Sequence, residues 1–149
     1  MWDIFKDHHY LTGDFNKASK IYLVYWNDVL VAMNSVLPYP TGTIKYAHRI
    51  HRLVVLPDFQ GLGIGSSVID FLGEEYLNKG LKYFLRTTHY KLARHCESHG
   101  GWKSTTTSKK IRLNHDEFGL LSGRKLNTSR DCYSFEYVGE SYNSKLTQK

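Results

Sequence analysis

From Lys20 to Trp26 the chain sets Ile21, Leu23 and Tyr25 against Tyr22, Val24 and Trp26, a run that is β-branched or aromatic almost throughout. Asn27-Asp28 is turn chemistry and Val29 to Leu37 is a second apolar run, so the two segments predict an antiparallel hairpin, closed off by Pro38 to Gly42. A third strand is predicted over His48 to Pro57, ending at a proline that has no amide to donate. Beyond the glycine-rich loop that follows, Ile64, Val68, Ile69, Phe71, Leu72, Tyr76 and Leu77 recur at three- and four-residue spacing. That period predicts an amphipathic helix, and Gly80 stops it. Leu81 to Thr87 reads as a strand, Leu92 to His99 as a short helix ended by Gly100-Gly101, and Trp102 as the start of an extended stretch. Cys132 to Val138 alternates as a last strand, while Trp2 to about Leu11 mixes aromatics and charges at near-helical spacing. The predicted order is β β β α β α β behind a leading helix, a mixed α/β (α+β) architecture with a mostly antiparallel first half.

Composition narrows the class without naming a function. The 149 residues, 41% hydrophobic and 23% charged, match one soluble globular domain spanning 1–149, with no repeat, low-complexity tract or long linker. No apolar run approaches the roughly 20 residues that span a bilayer. The start, Met1 to Asp7, lacks the basic-then-apolar order of a signal peptide, so the expectation is a cytoplasmic protein with no membrane partner. Two cysteines, Cys96 and Cys132, cannot build a disulfide framework and are expected to be reduced. Charge is unevenly spread: residues 1–75 hold 6 basic and 8 acidic side chains, net −2, and residues 76–149 hold 14 and 6, net +8. The basic half favours an anionic partner, either a nucleic acid, an acidic protein or a phosphorylated cofactor, although the same charge also keeps a small protein in solution.

The sharpest signal is the loop Gln60-Gly61-Leu62-Gly63-Ile64-Gly65 between a strand and a helix. Such a loop presents unblocked backbone amides at a helix N-terminus, where the dipole favours an anion, and glycine lets the backbone approach a phosphate closely. A P-loop needs Lys-Ser/Thr after its last glycine, and here Ser66-Ser67 follow. A dinucleotide fingerprint needs a glycine where Ser66 stands, and it should follow the first strand of a βαβ unit rather than a hairpin and a third strand. The alternative is that the glycines only let the helix pack tightly on the sheet.

Leu53-Val54-Val55-Leu56-Pro57, Asp58-Phe59 and the loop from Gln60 to Gly65 together resemble the acetyl-CoA-binding motif of the GNAT (Gcn5-related N-acetyltransferase) superfamily. Leu92-Ala93 through Gly101-Trp102 is similar to the late GNAT segment in which an alanine-containing helix ends in glycine and an aromatic. A looser resemblance is to phage-borne and ABC-ATPase-associated GNAT-like proteins with a His-His-Tyr-Leu stretch near the start, as in His8 to Leu11. The resemblance implies a mostly antiparallel central sheet flanked by helices and splayed at the acyl-CoA site. It implies acetyl-CoA as cosubstrate, with the pyrophosphate held around Gln60, Gly61, Leu62, Gly63, Ile64, Gly65 and Ser66. Amides near Val54 and Val55 would bind the pantetheine arm and polarise the thioester carbonyl. An amine acceptor would attack directly, so the protein positions two substrates and handles protons without a nucleophile of its own.

Proton handling is where the chain departs from that family. Glu97 stands where a tyrosine often serves as general acid, leaving Ser98, His99, Tyr90 or Tyr10 to replace it. His51 is the candidate base, because strand alternation puts it on the face of Leu53 and Val55, and a histidine suits proton removal near neutrality. A packing or surface role is the alternative for His51. His9 and Tyr10 are candidates for the acceptor or catalytic site, against a surface aromatic cluster, and adjacent histidines point differently, so His8 and His9 do not both face one cleft. His95 and His99 are four apart, a spacing that can clamp a metal on a helix, but with no His-Glu-x-x-His order and no settled third ligand no metal site is assigned. The acceptor stays open among nucleic acid, protein and small amine. Lys103, Lys109, Lys110 and Arg112 favour a polyanion, and a homodimer is also left open.

Overall fold

The structure, a computed structural model, describes Phe5 and residues 16–41, 43–105 and 132–139. Strands β1 (Lys20–Trp26) and β2 (Val29–Pro38) form the expected hairpin. Asn27 and Asp28 both take positive φ, 48° and 63°, as a two-residue turn matched to strand twist requires. Strand β3 is Ala47–Val55, helix α1 Ile64–Asn78, β4 Lys82–Thr87, α2 Tyr90–Ser98, β5 Trp102–Ser104 and β6 Tyr133–Tyr137. The six strands make one mixed sheet in the order β1-β2-β3-β4-β6-β5, antiparallel except where β3 meets β4. Among the described residues no helix is long and apolar enough to cross a membrane.

Two boundaries move for local reasons. The third strand stops at Val55 rather than Pro57, since Pro57–Phe59 forms a 3-10 turn in which the Phe59 amide donates to the Leu56 carbonyl at 2.9 Å. Helix α2 begins two residues early because His89 caps it, its Nδ1 accepting from the Leu92 amide at 3.3 Å, a role that histidine seldom fills. At the other end of α1, Gly80 takes φ 71° as expected of a stop. The Gly80 and Leu81 amides return to Leu77 and Tyr76 at 2.9 and 3.0 Å, the paired bonds that close a helix.

Every residue of β2 from Val31 to Leu37 is buried, Asn34 and Ser35 among them, as in a strand covered on both faces. On the helix side Val36, Ile50, Ile69, Leu72, Tyr76, Tyr83, Leu85, Ala93, Cys96, Trp102, Phe135 and Tyr137 form one cluster. On the other side Met33 and Val54 pack with Phe5, which is fully buried. Phe5 is the one described residue of the expected leading helix, and the rest of Trp2–Leu11 lies outside the described residues.

Tyr137 is wedged between two glycines, and this sets a test of packing. A Cβ on Gly73 would sit 2.5 Å from its ring and one on Gly101 2.7 Å away. The ring cannot retreat easily, for its hydroxyl donates to Glu74 Oε2 at 3.1 Å and its edge meets Trp102 at 5.0 Å. Alanine at position 73 gains about 1 kcal/mol in helix propensity, but overpacking a core costs about 1–3 kcal/mol. We therefore expect Gly73→Ala to lower the thermal midpoint by several degrees. A midpoint at or above that of the parent would show that Tyr137 has room to move.

Candidate functional site

Strands β3 and β4 pair only at their starts, Ala47–Arg49 against Lys82–Phe84. From Ile50 to Val55 the recorded partner of β3 is β2 alone, while β4 continues to Thr87 against β6. Two parallel strands thus part toward their C-terminal ends and open a cleft between them.

The glycine loop sits at the mouth of that cleft. Gln60 Nε2 donates to the Val55 carbonyl at 2.9 Å and ties the loop back to the end of β3. Gly61 and Gly63 take φ 83° and 80°, a conformation that side chains rarely adopt. A Cβ on Gly61 would meet nothing within 4 Å, so tight packing is not the reason for that glycine. Gly65 differs: a Cβ there would lie 3.5 and 3.6 Å from Val55 and Leu53, ordinary contact between α1 and β3. Gly63 is the N-cap and supplies no side chain, and the first helical bond runs from Ser67 N to Gly63 O at 3.0 Å. The Ile64, Gly65 and Ser66 amides therefore have no intrahelical acceptor. Ser66 Oγ donates to the Gly63 carbonyl at 2.9 Å and leaves them open. Three amides, a helix dipole and open space above Gly61 fit a pyrophosphate. Leu62 and Ile64 also line an open apolar groove of about 540 Å³ between β1 and α1, with Tyr22, Val24 and Phe71. Val54 is buried toward Phe5, and Val55 faces Gly65.

The proton-transfer candidates separate. Val36 pairs with Ile50 and Ser35 with Arg52, which makes His51 the extra residue of a β-bulge. Ile50 and Leu53, three apart, consequently pack on the same face. Strand alternation is therefore interrupted between Ile50 and Arg52, at His51. His51 stays half-buried beside the cleft, on a device that re-aims side chains. Ser98 is the last residue of α2, and its hydroxyl donates to the Arg94 and His95 carbonyls at 2.9 and 3.1 Å. Its proton is committed to the helix. Tyr90 opens α2, and Arg94 Nη1 donates to its exposed hydroxyl at 3.5 Å. Glu97 is exposed on α2, and Lys103 is exposed on β5. His9, Tyr10, Lys109, Lys110 and Arg112 lie outside the described residues.

One constellation is only partly legible in the sequence, which shows the His95 and His99 spacing but not their third partner. Asp70 on α1 meets His95 on α2, with Oδ2 2.7 Å from His95 Nε2 and 3.9 Å from His99 Nε2. Its other oxygen accepts the Trp102 indole N–H at 2.7 Å. Spacing gives His95 no hint of a partner 25 residues away. Next to it Cys96 is fully buried, and desolvation, with Asp70 nearby, pushes its thiol up. Cys132 is partly exposed and accepts from Arg86 Nε at 3.0 Å. An alkylating reagent should therefore label Cys132 in the native chain and Cys96 only after unfolding; rapid native labelling of Cys96 would contradict this packing.

Comparison with known proteins agrees with this geometry. A family model described as "Acetyltransferase (GNAT) family" matches residues 2–96. A GNAT family acetyltransferase from Elizabethkingia anophelis, solved with acetyl-CoA bound, superposes with a TM-score of 0.57 at 17% identity, covering 81% of this chain and 76% of that one. The Escherichia coli ribosomal-protein-S18-alanine N-acetyltransferase gives 0.57 at 11% identity over 91% and 84% of the two chains. A Bacillus subtilis acetyltransferase in complex with CoA gives 0.55 at 14% over 82% and 78%. At these identities the likeness is one of fold. No curated protein sequence matches the chain.

Proposed function

Since the chain belongs to the GNAT acetyltransferase family, we propose that it moves an acetyl group from acetyl-CoA directly onto an amine acceptor. The observation that carries this reading is the uncapped start of α1, with Gly61 and Gly63 at positive φ, beside the point where β3 leaves β4. Acetyl-CoA supplies an acyl carbonyl activated by its thioester. The loop amides from Gly61 to Ser66 hold the pyrophosphate, Gln60 keeps the loop on β3, and backbone groups at Val54 and Val55 bind the pantetheine arm. Holding donor and amine together in the cleft removes most of the entropic cost of a two-substrate reaction. His51 takes the proton that the attacking amine must lose. Ser98 is discounted as an acid by its two bonds to the helix backbone, and the tyrosine position is occupied by Glu97.

Solved structures of similar fold include ones named for a ribosomal-protein alanine and for streptothricin, so the fold does not select one acceptor. The pure chain with labelled acetyl-CoA, offered nucleic acid, bulk protein and polyamines in parallel, should transfer label to one amine class. No transfer to any of them, alongside intact acetyl-CoA binding, would favour a fold that binds CoA without turnover, a reading that rests on Glu97.

A further inference from the structure

Away from the glycine loop, α1 and α2 bring a carboxylate and two imidazoles to a single point. His95 on α2 and His99, the residue that caps the C-terminal end of α2 one turn later, stack their rings at 4.9 Å with 25° between planes. Both Nε2 atoms turn toward one oxygen, Asp70 Oδ2, at 2.7 and 3.9 Å, and the three donor atoms lie within 4.8 Å of one another. The shorter contact is a hydrogen bond, and the longer one is beyond hydrogen-bond reach. An ion bound at 2.0–2.1 Å in tetrahedral geometry spaces its ligand atoms about 3.3 Å apart, between the two observed values. The two imidazole nitrogens, within 4.8 Å of each other, must close toward the same spacing when an ion binds.

The surroundings also suit a metal. Trp102 N–H occupies Asp70 Oδ1, which leaves the carboxylate to ligate through Oδ2 alone and fixes its plane. The side chains of Asp70, His95 and His99 are 18%, 26% and 33% exposed, so an ion can enter from solvent and keep a water as a further ligand. Two imidazoles and one carboxylate select zinc and its neighbours over calcium or magnesium, which prefer oxygen. We propose that Asp70, His95 and His99 form a three-ligand site for a divalent transition-metal ion, zinc above all, that clamps α1 to α2. Nothing in the acetyl-transfer chemistry requires it.

The test uses the full chain without an affinity tag, stripped with chelator and titrated with Co²⁺ as a visible-absorption probe, then with Zn²⁺. One equivalent of Co²⁺ should give the intense bands of a four-coordinate ion, Zn²⁺ should displace it, and Zn²⁺ should raise the thermal midpoint. His99→Gln leaves the Asp70 bonds to His95 and Trp102 in place, so it should fold as the parent does without metal and lose the tight equivalent. Trp102→Phe should weaken binding by roughly 10–100-fold, the usual effect of losing an outer partner, and His99→Gln by more. Absence of saturable binding in the parent overturns the site. Binding unchanged in His99→Gln does so as well, because it places the ion on other histidines.

Discussion

Saturating acetyl-CoA should raise the melting midpoint of the parent chain by roughly 5–10 °C and leave Gly63→Asp unmoved. A ligand at a hundred times its Kd that binds only the native state stabilises it by about 2.7 kcal/mol, and each kcal/mol shifts a domain of this size by about 2–4 °C. Aspartate is chosen because it should spoil the site without spoiling the fold. It tolerates the left-handed conformation that Gly63 adopts at φ 80° better than most residues. Its carboxylate would accept from the free amides of the first turn and place negative charge where the pyrophosphate belongs. Gly65→Ala serves as the control, since its Cβ meets Val55 and Leu53 only at ordinary contact distance, and it should keep the shift. Equal shifts in parent and Gly63→Asp would remove the cofactor from this loop.

What could be read in the sequence and what could not divide along a physical line. The β1–β2 turn and the loop at Gln60–Gly65 are legible because short-range chemistry decides them: Asn-Asp for two positive φ values, glycine at Gly61 and Gly63 for two more. The end of β3 and the start of α2 shift because a proline can open a 3-10 turn and because His89 caps with a ring nitrogen. The bulge at His51 is hidden for a deeper reason. A bulge is a property of two strands in register, and no pattern within β3 announces that Ile50 and Arg52 will oppose Val36 and Ser35. The spacing of His95 and His99 is legible, but the arrival of Asp70 beside them is hidden in the same way, because it depends on how α1 and α2 are rotated against each other over the sheet. Apolar periodicity gives each helix its buried face, Ile69 and Leu72 on one and Ala93 and Cys96 on the other. It does not reveal which polar residues at the margins of those faces will touch.

Replacing His51 by glutamine should lower turnover by roughly 10²–10⁴, the usual contribution of a positioned general base, with little change in acetyl-CoA affinity. Aliphatic amines are protonated at neutral pH, and only the free base can attack a carbonyl, so an acetyltransferase needs a proton acceptor near its cleft. The bulge gives a physical reason to look to His51. It inserts an extra residue on the stretch of β3 that β4 has left, and it frees that residue from the strict in-and-out order of the strand. Glutamine preserves polar shape and hydrogen bonding but cannot take the proton, so a loss of rate with cofactor binding intact isolates that step. Only a neutral imidazole accepts a proton, so in the parent kcat/KM should climb with pH through an imidazole limb as well as the limb of the amine itself, and His51→Gln should keep the amine limb alone. The competing arrangement puts the chemistry on the N-terminal segment, where Tyr10→Phe would then abolish turnover while acetyl-CoA still bound. A His51→Gln enzyme of normal rate and pH profile, beside an inactive Tyr10→Phe, would transfer the role from β3 to that segment.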